Sequence, residues 1–215
     1  MINSMKAAML LAAAMLVTPK AIARPCNTSS TTFVKVDVQE APVTLVRDHT
    51  LADLRALSGR SRQSIAHAVL GYYAGSVGYS IKSIELHDAR SPDGQTCYSL
   101  QLDAALVAVD RRIEIANDLE GSPCRVRAVV EHYRHHAAAA SLALHSFASK
   151  LPAELEAEIE QYILSRPVRP EELRQFVDVL LDGAVERFTT SLAEVQKEVD
   201  TKSEILRFST PCDEM

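Results

Sequence analysis

His132 and His136 are the residues of this chain whose spacing is suited to metal chemistry; they lie in the run His132-Tyr133-Arg134-His135-His136. On a helix, a four-residue step leaves two side chains about 40° apart on one face. Two imidazoles so placed can reach one zinc ion. In the H-E-x-x-H pattern a glutamate follows the first histidine and takes a proton from the metal-bound water. Tyr133 holds that position here. A phenol with an ordinary pKa of about 10 is neutral at working pH and a poor base. Glu131 is the nearest substitute, but it points about 200° around the helix from Tyr133.

No third metal ligand is evident from spacing. His145 is a candidate, yet nine residues beyond His136 it falls on the opposite face of a straight helix. Glu154, Glu156, Glu158 and Glu160 could offer a carboxylate from the next helix, although alternating charge of this kind reads as a solvated face. Glu131 and His135 form a second i, i+4 pair, which reads as a surface hydrogen bond worth a few tenths of a kcal/mol. His49, His67 and His87 have no partner visible in sequence and read as structural or exposed.

The elements that must position these residues follow from pattern. Phe33 to Val38 alternates apolar and polar residues as a strand does, and Val43 to Val46 is a second candidate. Thr50 to Asp53 resembles a capping box, with a short helix carrying Leu51, Leu54 and Leu57 and stopping at Gly59. Ser61 to Tyr73 fits either helix or loop, and Gly71, Gly75 and Gly78 predict an irregular stretch. Tyr79 to His87 and Thr96 to Asp103 read as strands of an antiparallel hairpin around the turn sequence Arg90 to Gln95. Arg112 to Ala116 reads as a last short strand. Ser122 and Pro123 then open a helix as cap and first residue, and no breaker follows until about Lys150. Pro152 opens a second helix that breaks at Arg166-Pro167. Pro170 opens a long third one, with an apolar stripe through Leu173, Phe176, Leu180, Ala184, Phe188, Leu192, Val195 and Val199.

Residues 1–23 read as a secretory signal peptide: Lys6, an apolar run from Ala7 to Val17, and the cleavage pattern Ala21-Ile22-Ala23. That run is shorter than the roughly 20 residues a membrane span requires. Its removal takes away two bases, Lys6 and Lys20, and no acid, moving the formal net charge from -5 to -7. An acidic chain without basic clusters is a poor nucleic-acid binder. The 215 residues contain 4 cysteines and no tryptophan. The cysteines, Cys26, Cys97, Cys124 and Cys212, suit an oxidising compartment, where three pairings are possible. Cys97–Cys124 would tie a strand to a helix start, and Cys26–Cys212 would tie the chain ends together; these are the expected bonds. A four-cysteine zinc site is the competing reading, but no C-x-x-C spacing supports it.

The segment from Cys97 through Ile113-Glu114-Ile115-Ala116 and Gly121-Ser122-Pro123-Cys124-Arg125-Val126-Arg127-Ala128-Val129-Val130-Glu131-His132 resembles the bacterial predicted secreted zinc-dependent proteases, a family of exported domains of unknown function. The resemblance covers roughly Cys97 to His145, with a fainter echo at Val46 to Leu54. It implies a zincin-like fold, His132 and His136 as zinc ligands, and a disulfide at Cys97 and Cys124. This chain departs from the family pattern at Tyr133, where the catalytic glutamate belongs.

The expectation is therefore an exported α+β protein, periplasmic or secreted, with a small antiparallel sheet packed on a central histidine helix. Residues 24–150 form the zincin-like domain, and helices in 151–215 form a layer on the same domain. The strand at Ile113 is expected to run along the histidine helix. The protein is read as a non-proteolytic relative of metallopeptidases that binds Zn2+ or a peptide or protein partner, with no membrane span in the mature chain. Two alternatives are an active zinc metallohydrolase with an unusual base such as Glu131, and a metal-free helical interaction protein.

Overall fold

The structure is a computed structural model that describes residues 32–58, 70–90, 96–119, 121–165, 168–201 and Cys212. Residues 1–23 (expected to be a signal peptide), His67, Cys26 and the turn between the hairpin strands lie outside the described residues. Among the described residues nine elements follow one another: β1 (Thr32–Glu40), β2 (Thr44–Val46), α1 (Leu51–Ser58), β3 (Gly71–Arg90), β4 (Thr96–Ile115), a 3-10 turn (Asn117–Leu119), α2 (Pro123–Ala148), α3 (Leu151–Ser165) and α4 (Pro170–Val199).

The class is α+β, but the sheet is not the antiparallel one expected. β1 and β2 both run parallel to β4, end to end along one of its edges, and β3 pairs antiparallel along the other. Only the hairpin β3–β4 has the expected direction. Its strands are 20 residues each. β4 therefore joins the two strands expected at Thr96–Asp103 and Arg112–Ala116, and β3 absorbs the glycine-rich stretch expected to be irregular.

A bulge explains why β4 does not read as one strand. Between the pairs Ala74↔Arg112 and Ser76↔Val109, β4 spends one residue more than β3. Asp110 lies in that step with φ 53, in the left-handed region that a short polar side chain tolerates. The extra residue inverts the alternation. Leu100, Leu102, Ala104, Leu106 and Ala108 point inward before it, Ile113 and Ile115 after it.

One sheet face is covered by the three long helices. The even-numbered β4 residues meet Leu144 of α2, Leu155 and Ile159 of α3, and Leu173, Val177, Leu181 and Phe188 of α4 in one apolar core. Ile113 and Ile115 pack with Val126, Val129, Val130 and Tyr133, so the end of β4 lies under the start of α2. α2 begins with Pro123 in the first turn, and Ser122 stands at the cap position with no side-chain capping bond. The expected cap is thus present as a position but not as an interaction. α3 shields the open edge of β1: the Val34 amide donates to Glu156 at 3.0 Å and the Thr32 amide to Glu160 at 3.5 Å. These two acids are sheet-edge caps, a device that satisfies exposed backbone donors.

α4 lies antiparallel to α2, since Phe147 at the end of α2 faces Phe188, and His136 in its middle meets Gln196 and Asp200 further along α4 and just past its end. α4 therefore runs toward the first turn of α2. Cys212 is bonded to Cys124 there, across a sequence separation of 88. This corrects both expected pairings, Cys97–Cys124 and Cys26–Cys212. The helix start carrying Cys124 is bonded to Cys212, a pairing that cysteine spacing does not encode. Among the described residues no helix is long and apolar enough to cross a membrane.

Candidate metal centre

His132 and His136 do share a face of α2, and their Nε2 atoms are 3.1 Å apart. The third group is Asp200, which follows the last residue of α4. Its Oδ1 lies 2.9 Å from His136 Nε2 and 3.2 Å from His132 Nε2. These three residues form a group that could hold a metal ion, with ligand atoms all within 4.8 Å of one another. Two ligands each about 2.0–2.1 Å from a tetrahedral zinc are separated by roughly 3.3 Å. The observed spacings are close to that, so a small movement outward admits an ion.

The neighbouring contacts orient the ligands. Gln196, one helical turn before Asp200, makes a very close contact with His136 Nδ1 through Oε1, and its Nε2 donates to the His136 carbonyl at 3.2 Å. His136 is buried, whereas the Asp200 side chain is 48% exposed. The group is therefore walled by α2 and opens past Asp200. Burial alone would raise the Asp200 carboxyl, but hydrogen bonds from His132 and His136 outweigh it and hold the carboxyl well below the ordinary range.

Tyr133 lies beside the pair as a packed ring. It stacks on His136 with ring centres 5.4 Å apart and meets His132 edge-on at 4.9 Å. Its other side rests on the sheet at Gly71. A Cβ on Gly71 would stand 2.9 Å from Tyr133 Cε2 and 2.5 Å from the Glu114 carbonyl oxygen, so only glycine admits the ring and the strand together. Burial first, then the Asp200 charge, pushes the phenol above its ordinary pKa. Tyr133 stays neutral and cannot serve as a base.

The other expected residues are engaged elsewhere. Glu131 lies on the exposed side of α2, 3.5 Å from Arg134 and 3.9 Å from His135. His145 lies 3.0 Å from Glu40, which also accepts the Ser141 hydroxyl at 2.6 Å and pairs closely with Arg111. Glu154 pairs with Arg187 at 3.3 Å. None of these joins the histidine pair.

A second titratable cluster lies on the other side of the β4 end. Past the bulge, Glu114 points away from Ile113 and Ile115; it is buried, accepts the Tyr72 hydroxyl at 2.8 Å and pairs closely with His49. The His49 carbonyl accepts from the Asn117 amide at 2.9 Å, and Asp118 accepts from the Leu51 amide at 3.1 Å. The cluster docks the segment before α1 onto the sheet. His49, which has no partner visible in sequence, has this one in the fold.

Asp200 is the residue that sequence reasoning missed. It is 64 positions from His136, and one signal could have pointed to it: it is the first acid after the apolar stripe of α4 ends at Val199. No family model, curated protein or solved structure matches this chain.

Proposed function

We propose that this chain is an exported zincin-like protein that binds Zn2+ through His132, His136 and Asp200 and does not hydrolyse peptides. The observation that carries the reading is the convergence of two imidazoles and one carboxylate on a common point, beside a neutral aromatic ring in the position of the usual base. A three-residue donor set with one open side is the arrangement of zinc sites that accept a further ligand. Zinc bound there would supply a Lewis acid. His132 and His136 would hold it from one rigid helix, and Asp200 would add a negative charge. Tyr133 would wall the site and take no proton. The function then lies in metal-dependent recognition of a peptide or protein partner at the open side.

Among the described residues no carboxylate besides Asp200 joins the histidine pair, Glu131 being turned toward Arg134 and His135, and this favours the reading over an active hydrolase. The signal-like residues 1–23 and the cysteine usage support export. The test is a peptidase assay on zinc-supplemented mature protein with unfolded protein substrates. No cleavage above the His132→Ala background is expected. Cleavage that disappears in His132→Ala would overturn the reading.

A further inference from the structure

We infer that Gln196 is a positioning residue that fixes the His136 ring with its Nδ1 protonated, so that Nε2 is the atom aimed at His132 and Asp200. The inference rests on the zinc reading above and deepens it.

The geometry orders the protons. A backbone carbonyl only accepts hydrogen bonds, so the oxygen of His136 must face the amide nitrogen of Gln196, which donates to it at 3.2 Å. This fixes which end of the side-chain amide is which. Gln196 Oε1 must then be the atom against His136 Nδ1. An amide oxygen also only accepts, so Nδ1 carries the hydrogen and donates it. A ring protonated at Nδ1 offers Nε2 to a metal once any proton shared with Asp200 leaves. One residue thus reads both the backbone and the ring of His136, and the two contacts allow one orientation of each partner.

The placement explains why the clamp sits where it does. Gln196 and Asp200 are four residues apart, hence on one face of α4. The turn that delivers the carboxylate to Nε2 therefore also delivers the amide to Nδ1. His136 is buried, so bulk water does not offer Nδ1 a ready substitute. Groups that hold the second nitrogen of a metal-bound histidine typically contribute roughly 10- to 100-fold to metal affinity.

The experiment compares wild type, Gln196→Leu and Gln196→Glu, using zinc alone as the probe. Long-range 1H–15N spectra of zinc-free protein report whether His136 Nδ1 is protonated, and competition titration reports zinc affinity. The wild type should show a protonated Nδ1. Gln196→Leu should lose that signature and bind zinc roughly 10- to 100-fold more weakly. Gln196→Glu retains an acceptor for Nδ1–H but cannot donate to the His136 carbonyl. It should keep affinity within a few-fold of wild type while its melting temperature falls, a split that a merely structural role would not produce. An unprotonated Nδ1 in the wild type, or equal zinc affinity in wild type and Gln196→Leu, overturns the inference. If the wild type takes no zinc, the metal reading fails, and the Nδ1 signal alone decides the orienting role.

Discussion

Asp200 Oδ1 lies 2.9 Å from His136 Nε2, joining the end of the longest helix to the middle of the histidine helix across 64 residues of sequence. The same oxygen reaches His132 at 3.2 Å. One carboxylate therefore completes a site that the H-x-x-x-H spacing only begins. Asp200→Ala should weaken zinc binding by more than the roughly 10- to 100-fold that loss of an outer partner costs. Titration of the mature protein with zinc measures this. An affinity equal to wild type would remove Asp200 from the ligand set.

Tyr133 acts by packing, and its variants should show that. Tyr133→Phe keeps the ring and should leave stability within about 1 kcal/mol and zinc affinity unchanged. Gly71→Ala drives a Cβ into the ring and the Glu114 carbonyl, and overpacking of this kind costs about 1–3 kcal/mol. Urea denaturation of the two variants checks both numbers. A large loss in Tyr133→Phe would show that the hydroxyl has a role of its own. Tyr133→Glu completes the H-E-x-x-H pattern, and any peptidase activity it gains would support descent from a working enzyme.

The first turn of α2 and the tail are held by Cys124–Cys212. Closing a loop of 88 residues removes enough chain entropy from the unfolded state to stabilise the fold by about 4.6 kcal/mol. Replacing both cysteines by serine should lower the unfolding free energy by up to that amount. Peptide mapping without reductant should recover the Cys124–Cys212 cross-link. A Cys97–Cys124 peptide would contradict the bond between Cys124 and Cys212.

The His49–Glu114 pair makes a pH prediction. The hydrogen bond to Glu114 is the main effect on His49 and raises its pKa. That contribution is full below the ordinary value of 6.5 and is lost as pH rises through the raised one. Burial raises the Glu114 carboxyl, but hydrogen bonds from His49 and Tyr72 outweigh it and the net shift is downward from 4.5. Its contribution is full above 4.5 and is lost as pH falls through the lowered value. The difference in melting temperature between wild type and His49→Gln, in chelator, should be largest between about pH 4.5 and 6.5 and shrink toward alkaline pH. A difference that is flat with pH would show that the pair is not ionised in the fold.

Local features of this fold are legible in the sequence and relations between distant elements are not. The α2 start at Pro123 and the α4 start at Pro170 follow from proline at a first helical position. The α4 stripe is legible with a shift of one residue at two places: Val177 and Leu181 are buried where Phe176 and Leu180 were the expected positions, and these pack partly against the core. β4 is hidden because the bulge at Asp110 inverts its alternation, so one strand reads as two. The parallel pairings of β1 and β2, the Cys212 partner of Cys124 and the Asp200 contact all depend on how elements pack. No periodicity in the chain records that.

The most direct measurement is the zinc content of mature, oxidised protein purified without a histidine tag, beside His132→Ala. The account predicts one equivalent in the wild type and none in the variant. No zinc in the wild type, with no rise in melting temperature when zinc is added, would contradict it and leave His132, His136 and Asp200 as a hydrogen-bonded cluster.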